Sequence, residues 1–263
     1  MSFGGGSLLF LLGAGASVDS GLATYRGPSG MYSKNEKCNS NDPLVNPLHF
    51  SALYDAKRRC EMWHKVLGPL FRSIQKVQHL GPTYQKIQSM IDGETMIATQ
   101  NVDGLALTLG VSNTNTTTIE LHGNIQYTLC LDCSARTSFE DTQQRGFTCG
   151  VCHSENMRPD ILLFGESIAK EKLAAIFTFL KRKRPTHVFI IGTSMQFPYL
   201  HLIVNKAIQQ GAFIVHVNND PDYFHHTHTL KAKTDPSRVV RKRRRRPHIL
   251  LTSEEFLCFV KEK

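Results

Sequence analysis

Six short apolar runs constrain this chain more than any other feature: residues 7–12, 96–99, 119–121, 187–191, 213–217 and 249–251. Runs of this length, rich in branched side chains and bounded by polar residues, suit strands buried on both faces of a parallel sheet. Helical patterns fall between them. Leu173, Ile176, Phe177 and Leu180, then Leu200, Ile203, Val204 and Ala207, each place an apolar stripe on one helix face. This alternation predicts an α/β fold with a Rossmann-like doubly wound parallel sheet, which binds ligands beyond the carboxyl ends of its strands.

Two segments break the alternation. Residues 30–79 carry helical patterns without an intervening strand and are expected to form a helical insert, with a helix over 53–67 interrupted by Gly68 and Pro69. Residues 125–156 hold Cys130-x2-Cys133, fifteen intervening residues and Cys149-x2-Cys152, the spacing of a zinc ribbon. Four thiolates satisfy one Zn2+ and leave no open position, so that metal is expected to be structural. The remaining stretches, 1–29, 80–124 and 157–263, are assigned to the large domain, and Asn113 to Thr118 is read as a polar surface turn.

Seven cysteines are an odd number, and two Cys-x-x-Cys pairs favour metal in a reducing compartment over a disulfide framework. Cys38, Cys60 and Cys258 are left without a role. The net charge is +9, but the runs 181–184 and 241–246 contribute ten positive charges, leaving about −1 elsewhere. Such local basicity suits a solvated helix end and a disordered loop, or nuclear import, nucleic acid or an acidic membrane surface. The longest apolar stretch, Leu8 to Leu12, is too short for a membrane span, and the N-terminus lacks a signal-peptide layout. An intracellular protein is expected, cytoplasmic or nuclear, with a mitochondrial location left open.

Polar and small residues gather where the predicted strands end. Gly13, Ala14, Gly15 and Ser17 follow the first strand, where backbone N–H groups approach a phosphate. Gln100, Asn101, Val102 and Asp103 follow the second, His122 the third, Gly192, Thr193 and Ser194 the fourth, and Asn218 and Asn219 the fifth. Singly these are turn and cap residues; together they describe one crevice lined for a dinucleotide.

In chain order, GAGAS at 13–17, GLATYRG at 21–27, TQNVDG at 99–104, LHG at 121–123, the paired Cys-x-x-Cys, RPDILLFGE at 158–166, GTS at 192–194 and VNND at 217–220 resemble the sirtuin family of NAD-dependent protein-lysine deacylases. The resemblance implies NAD in the cleft and an acyl-lysine protein or peptide as substrate. Ala14, Gly15 and Arg26 would hold the phosphates, with Gln100, Asn101 and Asp103 around the nicotinamide ribose and amide. Ser194 and Asn218 would take the adenosine half, and Tyr25 would pack over nicotinamide. Gly13, Ser17, Thr24, Val102, Gly192, Thr193 and Asn219 complete the implied cofactor set.

His122 would be the general base, a role that suits an imidazole. Ile161 and Phe164 would line the acyl pocket, while Gly165 and Glu166 would meet the substrate backbone as an added strand. The implied products are free lysine, nicotinamide and O-acyl-ADP-ribose. Thr24 stands where many family members have Asp, which is similar to the class III branch that removes acidic acyl groups. Its Tyr-x-x-Arg pair finds a counterpart in Tyr54 and Lys57. Ala106 replaces a frequent histidine, and residues 195–198 are one residue shorter than usual. Rival functions are protein mono-ADP-ribosylation, a non-catalytic NAD or ADP-ribose sensor, and a zinc protein that binds nucleic acid through its basic runs. The missing aromatic platforms around 241–246 disfavour the last.

Overall fold

The computed structural model describes residues 5–25, 30, 36–40, 42–110, 114–219 and 248–258. Arg26, Asp220 and the basic run at 241–246 lie outside them. Six strands, β1 (Leu8–Leu12), β2 (Thr95–Thr99), β3 (Thr116–Glu120), β7 (His187–Ile191), β8 (Phe213–Val217) and β9 (His248–Leu251), form one sheet in the order β3-β2-β1-β7-β8-β9. Every pairing in it is parallel. Chain order therefore reverses between β1 and β7, the topological switch point of a doubly wound sheet.

Side chains alternate between the two faces, as strand geometry demands. Leu9, Leu11, Val188 and Ile190 pack with Ile176 and Leu180 of the helix Lys170–Lys183 (here α5) and Ile203 and Val204 of Pro198–Gln209 (α6). Leu8, Phe10, Phe189 and Val215 face Tyr84 and Ile87 of Pro82–Met90 (α3) and Phe256 of Ser253–Cys258 (α7). β1 is fully buried on both faces, which accounts for its unbroken apolar sequence.

A second sheet has three antiparallel strands in the order β5-β4-β6, from Gly123–Cys130 (β4), Arg136–Ser138 (β5) and Met157–Ile161 (β6). The sequence reading places residues 157–161 in the large domain, whereas β6 pairs with β4. The expected turn at 113–118 also differs, because Thr116–Glu120 is an edge strand. Its threonines are β-branched and half-exposed, so they suit a pleated surface without an apolar run.

Helix continues through Gly68 and Pro69, where sequence predicted a break. Ala56–Glu61 (α1) passes into a π turn at Met62–Leu67 and then Gly68–Gln75 (α2), with the Gly68 N–H bonded to the Trp63 carbonyl five residues back. The widened turn places Pro69 in the first turn of α2, where its missing N–H costs nothing. Trp63 and Phe71 from this insert pack on Phe139, the first residue of Phe139–Gln144 (α4), and Trp63 stacks on Phe147. The insert and the cysteine module thus share one apolar core. No helix among the described residues is long and apolar enough to cross a membrane.

Candidate active site and metal centre

At the switch point the loops after β1 and β7 touch directly. Gly13 N–H donates to the Ile191 carbonyl at 2.9 Å and Gly15 N–H to the Gly192 carbonyl at 2.9 Å. A Cβ on Gly15 would lie 2.6 Å from Gly192 Cα, and one on Gly192, whose φ is +63°, 2.4 Å from Ala16 N. Only glycine fits such an approach. Gly192→Ala is expected to destabilise the protein by about 2–4 kcal/mol, read as a lower denaturant midpoint at unchanged slope.

Around this crossing the strand-end residues form one network. Asn101 Nδ2 donates to the Gly13 carbonyl at 3.0 Å and to Ser17 Oγ at 3.1 Å, and Ser17 Oγ donates to Asp103 Oδ2 at 2.7 Å. Tyr84 OH lies 3.0 Å from Ser17 Oγ. Burial pushes the Asp103 carboxyl up, while the Ser17 hydroxyl and the Leu105 amide act the other way. Gln100 Nε2 donates to Thr193 Oγ1 at 2.9 Å, tying the β2 end to the β7 end across β1. Asn101 Oδ1 is buried and unpaired, an acceptor for a donor that the protein does not itself supply. Ala14, Ser17, Tyr25, Leu70, Asn101 and Asp103 wall the adjoining cleft.

His122 follows β3. Its Nε2 lies 3.0 Å from Tyr199 OH, while the Gln100 backbone carbonyl accepts from the ring. Burial lowers its pKa to about 4, Lys172 acts in the same direction and the Gln100 carbonyl opposes both, so the imidazole is neutral at pH 7. Phe197 and Tyr199 present their rings edge-on to it, with centroids at 5.4 and 6.3 Å. Two residues earlier, burial raises the Glu120 carboxyl to about 7; Asp103 adds to the rise, while Asn124, Lys172 and Arg136 oppose it.

Not every expected residue joins this cluster. Asn218 Nδ2 donates to the Thr193 carbonyl at 3.2 Å, at the β8 end of the same crevice, and Ser194 is exposed beside it. Asn219 instead accepts from Ser253 N–H at 2.8 Å, holding the start of α7. Val102 and Ile161 are core residues. The Phe164 backbone is already paired with the chain itself: its N–H donates to the Leu48 carbonyl at 2.9 Å and its carbonyl accepts from Phe50 N–H at 3.0 Å. Glu166 is held by both guanidinium nitrogens of Arg158, at 2.6 and 2.8 Å, and its N–H closes a turn onto Leu163. Gly165 between them is exposed, at φ +88°.

Tyr54 and Lys57 are both exposed. Tyr54 is 78% exposed at the end of a short 3-10 helix, and Lys57 is exposed on α1. Asp55, extended at φ −122° and ψ 118°, separates the two elements, so the i,i+3 spacing does not give a shared helix face. Tyr84, Glu120, Lys172 and Tyr199 were missed from sequence. Only Glu120 carried a signal, standing at a strand end before Leu121.

The four cysteines converge. Their sulfurs lie within 4.8 Å of one another, with Cys130 to Cys152 at 3.5 Å and Cys133 to Cys149 at 3.6 Å. Four thiolates about 2.3 Å from a tetrahedral zinc would stand roughly 3.8 Å apart, so the set fits that ion. The two knuckles are alike. Ser134 N–H bonds the Cys130 carbonyl and His153 N–H the Cys149 carbonyl, each from a left-handed residue at φ 61° and 59°. Val151 N–H also donates to Cys149 Sγ at 3.4 Å, which favours the thiolate.

The model of the Sir2 family matches residues 13–198. An NAD-dependent protein deacylase of Pyrococcus furiosus is 29% identical over 219 residues, covering 80% of each chain. NAD-dependent protein deacylase 2 of Pseudomonas syringae pv. tomato is 30% identical over 218 residues, covering 81% of this chain and 84% of the relative. Among solved structures, one bearing on the mechanism and regulation of Sir2 enzymes superposes with a TM-score of 0.62 at 22% identity, covering 82% of each chain. A Sir2–p53 peptide–NAD+ complex gives a TM-score of 0.57 at 21% identity, covering 81% of each. At these identities the structures show a shared fold.

Proposed function

The chain belongs to the Sir2 family, and on that footing we propose that it removes acyl groups from protein lysines at the expense of NAD. Its curated relatives carry the names NAD-dependent protein deacylase and deacetylase. The observation that carries the proposal is the neutral His122 anchored to the Gln100 carbonyl, one residue from the unpaired Asn101 acceptor at the switch-point cleft.

Each group does one thing in this scheme. NAD supplies an activated glycosidic bond to its nicotinamide. Gly13, Ala14 and Gly15 leave backbone room for the phosphates. Asn101 Oδ1 accepts from a ligand donor, such as an amide or a ribose hydroxyl, and Asp103 is fixed by Ser17 and Leu105. Tyr25 and Leu70 wall the cleft and exclude water from it. His122 takes a hydroxyl proton as general base. A zinc held by the four cysteines supports the fold and takes no part in the reaction, because a closed four-thiolate set leaves no position for water.

Tyr54 and Lys57 are both exposed, so the reading proposed here does not include a clamp for acidic acyl groups. Purified protein is therefore to be given NAD and acetyl, succinyl and crotonyl peptides, with products read by mass spectrometry. The expected result is nicotinamide, deacylated peptide and O-acyl-ADP-ribose in equal amounts, with acetyl or crotonyl turned over faster than succinyl. Absence of nicotinamide release with every peptide would end the proposal, and ADP-ribose attached to protein would replace it with the transferase reading.

A further inference from the structure

Tyr199 holds the one contact that the base reading leaves unexplained. The lone pair of a neutral imidazole accepts one good hydrogen bond. The Gln100 carbonyl favours an N–H on the His122 ring, and in the tautomer that leaves the lone pair on Nε2 the phenol 3.0 Å away occupies it. A substrate hydroxyl must then either displace Tyr199 or act through it.

Displacement meets several restraints. Tyr199 sits in the first turn of α6, directly after Pro198 at the helix start. Its ring stacks on Phe197 with centroids 5.7 Å apart and planes at 21°, and it packs against the core cluster of the large sheet. Its hydroxyl makes no other hydrogen bond among the described residues. Burial also raises the phenol well above its ordinary range, so it stays protonated and donates.

From this geometry we propose that Tyr199 is a fixed proton relay between the substrate hydroxyl and His122. The step balances as a single shift. The substrate O–H bond breaks and its proton joins the Tyr199 oxygen, while the Tyr199 proton passes to His122 Nε2. The electron pair stays on the substrate oxygen, which becomes the nucleophile. His122 leaves the step as an imidazolium whose other N–H still meets the Gln100 carbonyl. The inference rests on His122 being the base, and its test separates the two.

Tyr199→Phe removes the hydroxyl and keeps the ring. Activity on an acetyl peptide is expected to fall about 10²-fold in kcat, while exchange of labelled nicotinamide into NAD, which needs no base, continues at the parent rate. In the ligand-free protein, NMR titration of His122 is expected to show its pKa rising in the variant, since a bond to the lone pair favours the neutral ring. The other titratable or charged groups acting on that ring are Lys172 from α5 and, through Lys172, the Glu120 segment, and neither is altered.

An unchanged or raised kcat would mean that Tyr199 merely blocks the base, and the relay would fall. So would a titration that does not move, or a variant that loses nicotinamide exchange together with deacylation. His122→Ala is run beside it. If that variant keeps full activity, the base assignment itself fails, whatever Tyr199→Phe does.

Discussion

His122→Ala is expected to lower kcat/KM for an acylated peptide by about 10³-fold, within the range contributed by a positioned general base. The melting temperature and metal content should barely change, because the ring contacts Tyr199, Phe197 and a backbone carbonyl and none of the cysteines. Unchanged turnover would refute the role. The pH profile gives a second check. The base works unprotonated, and burial holds its pKa at about 4 rather than 6.5. Activity should therefore stay on its plateau as pH falls through 6.5 and decline only nearer pH 4, whereas a solvated imidazole would be half protonated at 6.5.

Cys133→Ser, or treatment of the whole protein with a strong chelator, is expected to reduce the metal from one ion per chain to none and to lower the melting temperature by about 10 °C. The damage should not stop at the knuckles. Phe139 and Phe147, which flank the cysteine loops, are packed against Trp63 and Phe71 of the helical insert. Amide exchange should accelerate across residues 62–74 as well as 130–152. A metal-free variant with the parent melting temperature and exchange pattern would contradict this.

The large sheet was legible because its central strands are buried on both faces and so write themselves as apolar runs. Edge and half-exposed strands leave weaker traces. Thr116 to Glu120 reads as polar because β3 pairs on one side only, and Met157 to Ile161 hides its alternation behind Arg158, Pro159 and Asp160. The cysteine spacing fixed the metal module, since a local geometry dictates it. The network partners were not legible. Tyr84 meets Ser17 across 67 residues and Tyr199 meets His122 across 77, and nothing local to either tyrosine announces such a contact. The spacing of Tyr54 and Lys57 suits a continuous helix, whereas Asp55 between them is extended and puts the two on separate elements.

The contact of Gly13 and Gly15 with Gly192 makes the two ends of the ligand cradle a single mechanical part. Gly15 and Gly192 meet backbone to backbone, and the first loop donates two backbone hydrogen bonds to the second, from Gly13 and Gly15. A shift of the first loop is expected to disturb the second, because the two share those hydrogen bonds. If a ligand's phosphates order one side, as proposed, the opposite rim is expected to tighten with it through backbone contact alone.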